Sequence, residues 1–294
     1  MMNGIEKKCF LFERGAALPL SSAQQPICSD AVQYGAGLFE SVRVYSSVIP
    51  FLDGHIQRAM SSAEKIGIKM NLTPEEITLA VYRTIGEQGI ENGILKVLFP
   101  LQDDLLEIDR FAVVCTKEIP FSETLYERGA RIMILDLKKS SASRLAGVQS
   151  FNCLENLLAQ HEARQKGFDD AVFLNERGNI SEGPFSNIFF IKGKVMYIPS
   201  LSQGIRQGII RGKIIKIAGK AGYKIFEGKV GVSRIKAVDE AFLTSTLAEI
   251  VPVVEIGRTR IGKGVPGEKT KKLHALYRRE LDEEISRIRS LLRS

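Results

Sequence analysis

The 294-residue chain has no tryptophan, three histidines and four cysteines, and aromatic residues make up 7% of it. The cysteines, Cys9, Cys28, Cys115 and Cys153, are scattered, with no CxxC pair and no histidine at ligand spacing. Neither a disulfide framework nor a zinc site is signalled, and a reducing compartment suits such thiols. No stretch approaches the ~18 consecutive apolar residues of a membrane span, and the start, Met1-Met2-Asn3-Gly4-Ile5-Glu6, lacks the apolar core of a signal peptide. The expected location is cytoplasmic, with no membrane partner. Charge of one sign is not concentrated either. The net charge is +7, from 41 Lys and Arg against 34 Asp and Glu, and from Lys263 onward nine basic residues mix with five acidic ones. A helix such as Arg278-Arg279-Glu280-Leu281-Asp282-Glu283-Glu284 reads as a solvated face, so no nucleic-acid partner is expected.

What is present is the composition of a globular protein, 44% hydrophobic and 26% charged, at about twice the usual domain length. Strand-like and helix-like segments alternate. Val42–Tyr45, Ile94–Phe99 and Phe111–Cys115 are short and rich in β-branched and aromatic residues, which predicts strands. Between them lie two helices. One follows Asp53 with Ile56, Met60, Ala63 and Ile66 on a face, and the other opens with the capping sequence Thr73-Pro74-Glu75-Glu76. The polar stretch around Pro120 predicts a linker at 119–126, between a smaller N-terminal domain (1–118) and a larger C-terminal one (127–294). In the second half, Arg131–Leu135 restarts strand character, a helix spans Asn152–Lys166, and Ala171–Leu174 is a strand. A hairpin turns through Lys192-Gly193-Lys194, a helix opens near Gly208, and strands lie near Ala241–Thr244 and Val253–Ile256. The fold class expected is a two-domain α/β (α+β mixed) protein.

Several chemical motifs fail. Gly257-Arg258-Thr259-Arg260-Ile261-Gly262-Lys263 has the spacing of a phosphate-binding P-loop, but Gly264 replaces the hydroxyl residue and Pro266 follows where a helix is required. Gly35-Ala36-Gly37 lacks the third glycine of a dinucleotide fingerprint, because Glu40 stands there. His55, His161 and His274 are far apart and read as helix-surface or partly buried residues, and no G-x-S-x-G elbow exists.

Tyr34-Gly35-Ala36-Gly37-Leu38-Phe39-Glu40-Ser41-Val42-Arg43, followed by Phe51–Arg58, resembles the fold-type IV (class IV) pyridoxal-phosphate enzymes. These are the branched-chain and D-amino-acid aminotransferases and aminodeoxychorismate lyase. Asn179–Gly183 with Ser186–Phe189, Gly208-Ile209-Ile210-Arg211, and Thr244–Ile250 with Pro252-Val253 continue the likeness in family order over nearly the whole chain. The resemblance implies pyridoxal 5'-phosphate as cofactor, small amino acids and 2-keto acids as substrates, a homodimer, and an active site in the domain cleft. It assigns the phosphate to Arg58, the helix start at Ile209 and Ile210, and Ser245 and Thr246; the ring nitrogen goes to Glu182. A phosphate dianion suits a guanidinium, helix-end amides and a hydroxyl, and a carboxylate keeps the pyridine nitrogen protonated. By the same resemblance Tyr34, Phe39, Arg43, Lys96, Leu247 and Ala248 line the substrate site, with Arg43 and Lys96 as candidates for a substrate carboxylate. The Phe39–Arg43 run looks more like the aminotransferases, and Ile94–Val97 and Leu145–Gly147 look more like the lyase.

One departure bears on activity. The family's Schiff-base lysine position falls on Gln149, just before Ser150-Phe151-Asn152. An amide has no basic lone pair to attack an aldehyde and is no general base near neutral pH. Three explanations are open: an altered form of an active enzyme, a pseudoenzyme that keeps its pocket, or a relocated lysine. Lys96 is the candidate for relocation, while Lys138 and Lys139 read as loop residues.

Overall fold

The computed structural model describes residues 8–13, 16–18, 29–101 and 106–292; Cys28 therefore lies outside the described residues. The chain forms two compact units. The first is Met1–Pro120 with Val148–Asn152 and Leu281–Ser294, and the second is Phe121–Gly147 with Cys153–Glu280. The break between the units follows Pro120, and two later segments, Val148–Asn152 and Leu281–Ser294, group with the first unit. The shorter one is tied to the first unit by backbone pairing: Phe39 donates its N–H to the Gln149 carbonyl at 2.9 Å, and Phe151 donates to Gly37 at 2.9 Å.

In the first unit, β1 (Lys8–Glu13), β2 (Ala16–Leu18), α1 (Asp30–Gln33), β3 (Gly37–Val44), α2 (Leu52–Ile66), β4 (Lys69–Met70), α3 (Pro74–Gln88), β5 (Gly93–Pro100), β6 (Glu107–Ile108) and β7 (Arg110–Thr116) follow in order. A five-stranded sheet runs β2-β1-β7-β5-β3, and β4 pairs with β6. Strand alternation sends Val42, Val44, Leu95, Val97, Phe111 and Val113 into one core with Ile56, Ala59, Ala63, Ile77, Val81 and Ile85 of α2 and α3. Each large side chain so buried contributes about 1.5–3 kcal/mol. The expected capping box of α3 is present: the Thr73 hydroxyl accepts from the Glu76 N–H at 3.2 Å, and the Glu76 carboxylate accepts from the Thr73 N–H at 2.7 Å.

The second unit contains α4 (Glu123–Arg128), β8 (Ala130–Lys139), α5 (Leu154–Gln165), β9 (Asp170–Asn175), β10 (Asn187–Lys192), β11 (Val195–Pro199), α6 (Ile209–Lys220), β12 (Lys224–Gly228), β13 (Glu240–Ser245), β14 (Glu249–Ile256), β15 (Thr259–Arg260) and most of α7 (Glu268–Leu291). Its sheet runs β12-β11-β10-β13-β14-β8-β9, with β15 paired to β14. The central β10 is buried on both faces as far as Ile191, which explains its continuous apolar run Ile188-Phe189-Phe190-Ile191. The sequence reading is corrected at Lys138 and Lys139. Both belong to β8, which continues past Leu135 because Lys138 and Lys139 pair with Leu174 and Asn175 of β9 beyond an irregularity in register. The P-loop-like segment is a β-hairpin closed at Gly257, and the next helix begins only at Glu268, not at Lys263 as a P-loop requires.

Candidate cofactor site

In the first unit, Glu40 lies on the same face of β3 as Leu38 and Val42, and that face packs on α2. The helix brings His55 and Arg58, one turn apart, onto this carboxylate. Arg58 grips it with two nitrogens, Nε to Oε1 at 2.9 Å and Nη2 to Oε2 at 2.6 Å, and His55 Nδ1 lies 2.8 Å from Oε2. Glu40 is 3% exposed. Burial pushes its carboxyl up, but the Arg58 charge and the hydrogen bonds from His55 and Arg58 outweigh this and hold it below its ordinary value. Arg58 therefore spends its fork on Glu40, and its Nη2 also donates to Gln149 Oε1 at 3.4 Å. His55, expected at a helix surface or partly buried, is 1% exposed, because its face of α2 covers the sheet.

The opposite face of β3 carries Phe39 and Arg43. The β5 register sets Lys96 across from Ser41, and its Nζ sits 4.9 Å from the Phe39 ring centre. Arg43 stacks on Tyr45 at 4.8 Å. Tyr34, the C-cap of α1, is largely exposed.

In the second unit, three elements meet at one end of the sheet. Asn187 opens β10 opposite Thr244 of β13, so their side chains share a sheet face. Asn187 Nδ2 donates to the Arg206 carbonyl at 3.0 Å and lies 3.4 Å from Glu182 Oε2. Gly208, the N-cap of α6, packs so tightly on Asn187 that a Cβ there would collide with Oδ1. The contact fixes the start of a 12-residue helix whose first amides, at Ile209, Ile210 and Arg211, have no acceptor within the helix. Ile210 itself is buried, so it offers backbone and no side-chain donor.

The turn from Ser245 to Glu249 continues from Thr244. Ser245 Oγ accepts from the Ala248 N–H at 3.0 Å, and Tyr126 donates its hydroxyl to the Ala248 carbonyl at 3.0 Å. Glu249 closes the turn in the left-handed region, φ 58°, fully buried. His274 Nε2 at 3.0 Å and the Arg278 guanidinium, both from α7, hold its carboxylate there. His274 is thus a hydrogen-bond partner of Glu249.

Glu182 is 3% exposed. Among the described residues its contacts fall on one oxygen, Oε2: the Arg206 N–H at 2.9 Å, Asn187 at 3.4 Å and Arg206 Nε at 3.6 Å. Lys139 lies in the same electrostatic field. Its Nζ donates to Asn156 Oδ1 at 3.0 Å and sits 4.1 Å from the Phe173 ring centre; burial lowers its proton affinity, and the Glu182 charge opposes that.

This sheet end fits a phosphorylated pyridine. A buried carboxylate with one oxygen outside these bonds suits a ring N–H, and helix-start amides suit a phosphate. Thr244 Oγ1, buried on the Asn187 side, has no hydrogen-bond partner among the described residues. Sequence reasoning missed Thr244, Arg206 and Lys139. Thr244 and Asn187 stood inside quoted motifs, and their pairing in alternating strands was the available signal. Arg206 carries none, because a loop arginine reads as solvated.

The family described as Amino-transferase class IV matches residues 37–256. A Methanocaldococcus jannaschii protein bearing the name of a branched-chain-amino-acid aminotransferase is 30% identical over 91% of this chain and 95% of its own length. The aminodeoxychorismate lyase of Bacillus subtilis is 28% identical over 86% of this chain and 88% of its own. The crystal structure of a T.th. branched-chain amino acid aminotransferase with pyridoxamine 5'-phosphate superimposes with a TM-score of 0.83, at 26% identity over 91% of this chain and 92% of that one. The matched family is one of amino-group transfer enzymes, and the mixed α/β fold is shared with it. The chain belongs to the class IV aminotransferase family.

Proposed function

We propose that this chain holds pyridoxal 5'-phosphate at the sheet end of its second unit and recognises small amino acids and 2-keto acids, with amino-group transfer limited by Gln149. The observation that carries the reading is Glu182, a buried carboxylate whose contacts leave one oxygen for a ring N–H. When bound, the cofactor supplies an aldehyde for amine exchange and a ring that takes up electrons from the substrate α-carbon.

The chain's own residues divide the remaining work. Glu182 holds the ring proton, and Arg206, 3.6 Å away, tempers its charge. The α6 amides at Ile209 and Ile210, the Thr246 turn and the Thr244 hydroxyl bind the phosphate. Arg58 holds Glu40 and Gln149 in place. Lys96 beside Phe39 and Arg43 offer cations to a substrate carboxylate. Tyr34, Leu247 and Ala248 complete the substrate contacts by resemblance. Gln149 can accept a hydrogen bond but cannot exchange an amine or carry a proton from carbon, so binding is the property this form retains. That favours a second reading, a cofactor-binding protein without turnover. A homodimer and a cytoplasmic location complete the reading; among the described residues no helix is long and apolar enough to cross a membrane.

Equilibrium dialysis of pyridoxal phosphate against the chain and Glu182→Gln tests the reading. The substitution should weaken binding by about tenfold, the worth of one charge-assisted hydrogen bond. Equal affinity in the two proteins contradicts it.

A further inference from the structure

The P-loop-like segment that the cofactor reading leaves unused borders a cavity of about 420 Å³ at the other end of β14. It lies six residues along that strand from Glu249, about 20 Å from the Thr246 turn. Arg128, Arg131, Glu255, Arg260 and Lys263 surround it. Two of these cations form a neutral wall. Arg131 makes a two-pronged bond to Glu255 at 3.0 and 3.2 Å, and Arg128 binds Asp169, which also accepts the Arg131 N–H at 2.9 Å.

Arg260 and Lys263 are different. Neither forms an ion pair among the described residues, yet both face the same cavity, which therefore carries about two uncompensated positive charges. Arg260 is also positioned. Its side chain lies across Gly264, where a Cβ would come within 2.9 Å of Cδ and 3.1 Å of Nε, and Gly264 adopts φ +75°. The loop beneath is fixed by Ile261 N–H to the Val254 carbonyl at 2.9 Å and Gly264 N–H to the Ile261 carbonyl at 2.8 Å. A guanidinium held against glycine backbone and a lysine beside a pre-paired arginine wall are a chemistry that suits a small dianion.

We propose that this cavity is a second anion site, for the phosphate group of a small phosphorylated metabolite. Arg260 and Lys263 are its charged contacts, and the Arg128 and Arg131 pairs are its frame. The test is calorimetric titration of inorganic pyrophosphate at low ionic strength into the chain loaded with pyridoxal phosphate, and in parallel into the unloaded chain. Pyrophosphate should bind in the loaded protein and in Glu182→Gln, and about tenfold more weakly in an Arg260→Ala/Lys263→Ala double variant, whose circular dichroism checks its fold. Gly264→Ala, which pushes Arg260 aside but keeps every charge, should weaken binding in the same direction. Failure of the cofactor reading would leave this result unchanged in the unloaded chain. Absence of binding at about 5 mM pyrophosphate, equal affinity in the double variant, or succinate binding as tightly as pyrophosphate overturns the proposal.

Discussion

The two buried carboxylates, Glu40 in the first unit and Glu182 in the second, are each 3% exposed, yet the chain treats them in opposite ways. Glu40 is saturated: both oxygens are gripped by Arg58 and one also by His55. Glu182 is bonded through one oxygen, by a backbone N–H, a distant amide and a guanidinium at 3.6 Å. A buried charge with all its bonds made is architecture, because breaking any of them leaves a partner stranded. A buried charge with bonds still to make is tolerated where a ligand completes it. Burial alone therefore does not distinguish these two carboxylates; the count of committed lone pairs does.

Glu40→Gln should break that comparison most violently. It removes the carboxylate under a largely buried guanidinium, and a loss of about 3–5 kcal/mol in folding stability is expected, measured by urea unfolding of the apo chain. The pH dependence has a defined sign. Because the folded carboxyl lies below its ordinary value of 4.5, its contribution is complete above about pH 4.5 and is lost as pH falls through the folded value. Glu40→Gln should flatten that acid limb. A variant as stable as the parent would show that the Arg58 fork does not hold the first unit together.

A smaller effect is expected at the other carboxylate. Arg206→Met removes the looser guanidinium but keeps the backbone N–H that bonds Glu182, so the stability change should stay within about 1 kcal/mol. The ring nitrogen of added pyridoxal phosphate should then hold its proton to higher pH, read from the pH dependence of the bound absorbance band. A stability loss as large as that of Glu40→Gln would make Glu182 architectural too.

Much of this architecture was legible in sequence because local and global signals agreed. The capping box at Thr73–Glu76, the alternation along β3, β5 and β7, and the hairpin at Lys192–Lys194 each rest on a period or a turn residue that needs no partner far away. β12 was not foreseen, since Lys224–Gly228 is largely exposed and pairs only through the parallel register with β11. The site was legible in part. Glu182, the Gly208 helix start and the Thr246 turn lie in motifs. Their meeting at one sheet end depends on the Asn187–Thr244 register, and the commitment of Arg58 to Glu40 depends on the packing of α2 against β3. Neither distance is written in any single segment.

On the proposed function, the cofactor pocket persists while the covalent anchor is missing at Gln149. Borohydride reduction in the presence of pyridoxal phosphate, followed by peptide mass spectrometry, tests it in the chain and in Gln149→Lys. No stable adduct is expected in the chain, and an adduct at position 149 is expected in the variant, where the neighbouring Arg58 charge would favour the neutral, nucleophilic amine. An adduct on Lys96 or Lys139 of the unaltered chain would contradict it, since the lysine would then have moved and not been lost.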